Sequence, residues 1–170
     1  MNNIIGVAEP ISALNKIKII ENNEPLVELA IACPVIQHGF DILPYVRSSV
    51  ATMLNSAQSY LPNGYRLYVH DAYRTIETQE RLWQEYFDHV KKAKPHWPNS
   101  TIHRITNRYV APTNHPAPPG HCTGGAVDIT IIDSDGQELD MISPLLPSQA
   151  QHTHVNGLSS TAKANRMMLF

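Results

Sequence analysis

A carboxylate stands inside a segment that otherwise reads as uninterrupted strand. Gly124-Gly125-Ala126-Val127-Asp128-Ile129-Thr130-Ile131-Ile132-Asp133 is dense in β-branched residues and ends in the turn Asp133-Ser134-Asp135-Gly136. A carboxylate buried in such a strand costs several kcal/mol or more unless it is ion-paired, hydrogen-bonded or bound to a cation. Asp128 therefore demands both a sheet and a polar site on it. Seven residues upstream lies His121, separated from Asp128 by the Gly124-Gly125 pair. Glycines let the backbone bend tightly and approach other groups closely. A bend there could bring imidazole nitrogen and carboxylate oxygen, both good Zn²⁺ donors, to one ion. A loop histidine and an aspartate satisfied by backbone donors fit the same spacing, and on these residues alone both readings stay open.

A second polar pair follows another strand. Tyr65-Arg66-Leu67-Tyr68-Val69-His70 is aromatic and β-branched, and Asp71 and Arg74 lie just past it. An arginine fork can hold a carboxylate or stabilise a developing oxyanion. A local surface ion pair, worth little, is the alternative. Thr75 is the expected N-cap of the next helix, with Glu77 and Glu80 near its positive end. Ile76, Trp83, Phe87 and Val90 form its apolar stripe, widened by Leu82 and Tyr86. Lys91, Lys92 and Lys94 favour its negative end, and Pro95 closes it.

The rest of the chain frames these pairs. A short apolar stretch runs from Ile17 to Ile20, and Leu26 to Ile36, broken by Pro34, reads as an edge strand or a loop. Residues 45–60 read as a helix from the spacing of Tyr45, Val46, Val50, Met53, Leu54 and Ala57, stopped by Leu61-Pro62-Asn63-Gly64. Residues 95–120, rich in Pro, His, Asn and Thr, are expected to be mostly loop, as are residues 140–157. A last helix starts at Leu158, capped by Ser159 or Ser160, and runs to the end. Trp83, Tyr86 and Phe87 are assigned to helix core, Trp97 to a packing anchor, Cys122 to a buried thiol, and His103, His115, His152 and His154 to ordinary loop roles.

Composition excludes several classes. With 170 residues and a net charge of −2, the chain is the size of one domain, 1–170, and has no basic footprint for nucleic acid. No apolar run reaches the ~18 residues that span a bilayer. The first ten residues lack a basic region and an apolar core, so a cytoplasmic location without a secretory signal is expected. Cys33 and Cys122 make no disulfide framework. The oligomeric state is open.

Taken together, Val69-His70-Asp71-Ala72-Tyr73-Arg74 and Pro119-Gly120-His121-Cys122-Thr123-Gly124-Gly125-Ala126-Val127-Asp128 resemble the D-alanyl-D-alanine dipeptidases. These are zinc peptidases related to D,D-carboxypeptidases and to the hedgehog-type fold. The family carries Asp-x-Tyr-Arg after a central strand and then His-x-x-Gly-x-Ala-x-Asp, matched here at His121, Gly124, Ala126 and Asp128. The turn at 133–139, Asn156-Gly157-Leu158 and Asn165-Arg166 look like later family segments, so the resemblance covers about residues 40–170. It implies an α+β fold with a small, mainly antiparallel sheet and helices packed on one side. It implies Zn²⁺ held by His121 and Asp128, Arg74 stabilising a tetrahedral intermediate, and Asp71 positioning substrate or Arg74. The implied reaction is hydrolysis of D-alanyl-D-alanine or a similar small D,D-dipeptide, with no nucleic-acid or membrane partner. A peptidoglycan D,D-carboxypeptidase and a non-catalytic zinc-binding remnant are the alternatives.

Three departures qualify the resemblance. Pro119 replaces a frequent Ser, and Thr75 replaces the Pro that follows the arginine. More seriously, the family's Glu-x-x-His, which supplies the general base and last ligand, is absent. After Asp128 the only Glu is Glu138, and three residues on stands Met141. The apolar end Met167-Met168-Leu169-Phe170 suggests a C-terminally incomplete copy of the domain, with poor or no activity expected.

Overall fold

In a computed structural model, residues 20–147, 149–150 and 155–169 are described. The histidines at 152 and 154 and most of the 17–20 stretch lie outside them. The elements in order are β1 (Leu26–Glu28), α1 (Leu29–Ala32), β2 (Gln37–His38), β3 (Tyr45–Arg47), α2 (Ser48–Tyr60), β4 (Arg66–Asp71), α3 (Ile76–Ala93), α4 (Asn99–Tyr109), β5 (Asp128–Ile132) and α5 (Ser160–Met167), with a 3₁₀ turn at Gly120–Thr123 before β5. This is the α+β architecture expected, and two of its three strand pairings are antiparallel.

β4 is the central strand of a three-stranded sheet, parallel to β2 on one side and antiparallel to β5 on the other. β1 and β3 form a separate antiparallel pair. Alternation along β4 buries Leu67 and Val69 completely. Their core includes Ile131 from β5, Leu29 from α1, Val46 from β3, and Val50, Ala51 and Leu54 from α2. The helical spacing read over 45–60 is right from Ser48 onward, but Tyr45–Arg47 is strand. The stretch from Leu26 likewise splits into three residues of strand and one helical turn.

α3 builds a second core. Its cap is the expected one: Thr75 Oγ1 accepts from Thr78 N at 3.2 Å. Phe87 and Val90 pack with Ile102 of α4, flanked by Trp83, Tyr86 and Ile105. The segment expected to be loop over 95–120 thus contains an eleven-residue helix. Ile102, Ile105 and Thr106 give it an inward stripe at helical spacing, which the surrounding polar residues conceal in sequence. His103 is accordingly a helix residue whose ring lies tilted against Trp83 and Phe87, with ring centroids 5.0 and 4.9 Å away. Trp97 is 40% exposed and lies under the Lys94 ammonium, 5.6 Å from the ring centre, so it is no buried anchor. α5 starts at Ser160, two residues later than the expected Leu158, on the expected Ser159 cap, which accepts from Ala162 N at 3.0 Å, and ends at Met167.

No helix among the described residues is long and apolar enough to cross a membrane.

Candidate active site

The site forms where β4 ends and β5 begins. The antiparallel register runs Leu67 to Ile131 and Val69 to Ile129, then shifts so that Asp71 faces Asp128. Such bulges re-aim side chains and often lie next to active sites. Two carboxylates opposite each other repel. Arg74 lies between them. Its Nε and Nη2 donate to Asp71 Oδ2 at 2.8 and 2.5 Å, and its Nη2 is 3.9 Å from Asp128 Oδ2. The other Asp71 oxygen accepts from Ala72 N at 2.9 Å. The arginine and Asp71 side chains are 18% and 25% exposed, so this pair is half-buried and not the loose surface contact that spacing alone allowed.

His121 arrives from the 3₁₀ turn. Its Nδ1 meets the Ala72 carbonyl oxygen at 2.8 Å. A carbonyl can only accept, so Nδ1 carries the proton and Nε2 is turned outward. That nitrogen faces Asp128 Oδ2 at 3.6 Å. The turn itself is tied down: Arg74 N donates to His121 O at 3.1 Å, and Arg47 N to Gly124 O at 2.9 Å. Arg47 Nε also donates to Thr123 O at 2.7 Å. All four site residues named from sequence therefore converge: Asp71, Arg74, His121 and Asp128.

One expectation is corrected. Asp128 is not buried in the strand; it is its first residue, with a side chain 61% exposed. The apolar run around it belongs to Thr130, Ile131 and Ile132, which are buried further along. Its partners are the His121 imidazole and, further off, the Arg74 guanidinium.

Electrostatics bind the pair together. The Asp128 carboxylate opposite Nε2 raises the His121 pKa, against a smaller desolvation effect that lowers it. In turn His121 holds the Asp128 carboxyl below its ordinary range. The raised imidazole stabilises the fold fully below its unfolded value of about 6.5, and this is lost as pH rises through the folded value. The lowered carboxyl contributes above about 3.9 and is lost as pH falls through its folded value. The metal-free protein is therefore expected to draw most from this pair between about pH 4 and 6.5. Urea unfolding from pH 4 to 8 checks this. Wild type should lose its margin over Asp128→Asn as pH rises above 7, and a constant margin would contradict it.

Gly124 closes the turn with φ +72°, a left-handed conformation. A β-carbon there would run into Leu26 Cδ2, the mobile end of a partly exposed side chain. Gly124→Ala is thus expected to cost mainly backbone strain, about 1–2 kcal/mol. Gly136→Ala, at φ +78° with open space around it, isolates that strain. Denaturant midpoints compare the two, and a loss at Gly124 below that at Gly136 would show that the turn is not held as described.

Among the described residues no third His, Cys, Asp or Glu joins His121 and Asp128. Glu138 is engaged instead with His70, 3.3 Å away. Burial raises the Cys122 pKa, which favours the neutral thiol over a metal-binding thiolate. Sequence reading missed three supports: the Ala72 carbonyl, Arg47, and Gln79, whose Oε1 accepts from Arg74 Nη1 at 3.1 Å. Only Gln79 left a trace in the sequence, as a polar residue in register with the apolar stripe of α3.

Comparison with known proteins places the chain in a family. A D-alanyl-D-alanine dipeptidase from Synechocystis sp. is 32% identical over 111 residues, covering 58% of this chain and 45% of that protein. The chain thus spans less than half the length of that relative. A crystal structure of a vancomycin-resistance D,D-pentapeptidase, VanY from a VanB-type cassette, in complex with Zn(II), shares 19% identity with a TM-score of 0.41, over 65% of this chain and 53% of that one. The profile of the family described as D-ala-D-ala dipeptidase matches residues 42–170, from before β3 through β5 and α5. With three quarters of its length matched and both motif pairs folded onto one another, the chain belongs to the D-ala-D-ala dipeptidase family.

Proposed function

We propose that this chain carries the His-Asp and Asp-Arg parts of a zinc-dependent site that hydrolyses D-alanyl-D-alanine or a similar small D,D-dipeptide. The observation that carries the reading is the convergence of His121 Nε2 and Arg74 Nη2 on Asp128 Oδ2, at 3.6 and 3.9 Å. Donors about 2.0–2.2 Å from a tetrahedral ion lie about 3.3–3.6 Å apart, so the His121–Asp128 spacing fits one Zn²⁺ with little movement. The Ala72 carbonyl fixes the His121 tautomer that leaves Nε2 free, an orienting contact typical of metal-ligating histidines.

Bound zinc would supply a polarised carbonyl and a water of lowered pKa. The chain's own residues do the rest. Asp71 fixes Arg74 by two hydrogen bonds to one oxygen. The guanidinium, partly shielded from water, then offers its remaining N–H groups to the substrate carbonyl oxygen as negative charge develops there. Aspartate and arginine also set the polarity of the mouth, where a dipeptide presents one ammonium and one carboxylate. Among the described residues no third ligand joins His121 and Asp128, and the sequence holds no Glu-x-x-His after Asp128 to act as the family's base. Losing such a base costs about 10²–10⁴ in rate, so turnover by this chain is expected to be slow.

Zinc content and hydrolysis, measured on the purified chain with D-Ala-D-Ala and with a longer peptide ending in D-Ala-D-Ala, decide the matter. Stoichiometric zinc with preference for the dipeptide supports the proposal. Preference for the longer peptide favours a carboxypeptidase, and neither zinc nor turnover defeats the enzyme reading for this chain.

A further inference from the structure

Gln79 occupies a place where packing alone would favour a hydrocarbon. It lies three residues after Ile76 and four before Trp83, on the stripe that α3 turns inward, and it is 2% exposed. A buried amide is costly unless both of its ends are satisfied. Here both are. Oε1 accepts from Arg74 Nη1 at 3.1 Å, and Nε2 donates to Ala111 O at 2.8 Å.

The geometry of Arg74 shows what that bond adds. Its two bonds to Asp71 end on the same oxygen, Oδ2. Contacts to a single atom leave the guanidinium free to pivot about it. The bond from Nη1 to Gln79 is a third, separate point, and three points fix the plane. Ala111, the far end of the bridge, opens the segment that leads from α4 to the His121 turn. The same amide therefore ties the arginine to the backbone that delivers the histidine.

We propose that Gln79 is a positioning residue. It locks the plane of the Arg74 guanidinium so that the N–H groups used by neither Asp71 nor Gln79 point to the space beside His121 and Asp128. This rests on the dipeptidase reading for its consequence, but not for its geometry. Misplacement of a catalytic group by about 1 Å can cost about 10²-fold, so a loosened arginine should lower kcat more than it raises KM.

The test compares Gln79→Met and Gln79→Leu, which remove both bonds, with Gln79→Glu, which keeps an acceptor for Arg74 and loses the donor to Ala111. Zinc-loaded Q79M and Q79L are expected to lose about 10–100-fold in kcat with KM within about twofold, while zinc content is unchanged. Q79E should recover most of the loss. If all three variants lose alike, the role is structural and the proposal is overturned; if Q79M and Q79L keep wild-type kcat, it is overturned as well. Absence of turnover by the wild type would be a failure of the dipeptidase reading alone. The positioning role is then decided by ¹⁵N-edited spectra of the Arg74 side chain in the zinc-free protein. Distinct Nη signals in wild type and Q79E, averaged in Q79M, uphold it; averaged signals in the wild type, or distinct ones in Q79M, overturn it.

Discussion

Arg74→Met is expected to lower kcat for D-Ala-D-Ala hydrolysis by about 10²–10³-fold, the usual cost of removing one donor from a developing oxyanion. KM should change little, because the substrate carbonyl carries full charge only in the transition state. The substitution has a second consequence that does not depend on turnover. Arg74 lies between Asp71 and Asp128, which face each other across the sheet. Without it, Asp71 loses its cation and the two carboxylates repel. The metal-free variant should therefore be less stable than wild type at pH 7 and approach it only well below pH 4, as pH falls through the lowered Asp128 value. Arg74→Lys should restore part of the stability and little of the rate, since an ammonium is a point charge without the planar fork. Steady-state kinetics, with urea melts at pH 7 and well below pH 4, read both effects. A Met variant with wild-type kcat and a pH-independent stability loss would remove Arg74 from both roles.

Leu67→Ala is expected to be the most damaging single change to the fold. Leu67 is fully buried at the centre of β4, the strand shared by both neighbours in the three-stranded sheet, and it packs in the core with Ile131 and Leu54. Truncating a leucine in such a place costs about 2–5 kcal/mol through lost transfer energy and the cavity left behind. For a chain of this size each kcal/mol lowers Tm by about 2–4 °C, which gives a fall of roughly 5–20 °C. The site residues are untouched, so zinc binding per folded molecule should persist below the transition. Calorimetry or a denaturant titration measures the loss. A cost below about 1 kcal/mol would mean that β4 is not the spine on which the site is built.

Much of the local structure was legible. The β-branched runs at 65–70 and 128–132 are strands, Thr75 and Ser159 cap their helices, and the stripe of Trp83, Phe87 and Val90 packs inward. These features depend on neighbours within a few residues, where propensity, side-chain alternation and capping bonds act. α4 was hidden because only Ile102, Ile105 and Thr106 mark its inner face, in a segment otherwise dominated by loop-forming residues. Its helix exists because Trp83 and Phe87 of α3 offer that face a surface, a contact no local pattern records.

The site divides in the same way. By itself the sequence determined which side chains are present and on which strands they sit: Asp71 and Arg74 after one, His121 and Asp128 around the glycine turn before another. Only the tertiary structure decided how they meet. A shift of register, which no single strand encodes, sets Asp71 against Asp128 and so gives Arg74 two carboxylates to separate. The buried amide of Gln79 and the carbonyl of Ala72 then fix the orientations of Arg74 and His121. Hydrogen bonds across strands and between remote segments form only once the core has chosen their register. Thus residue identity carries the chemistry, whereas packing carries its geometry.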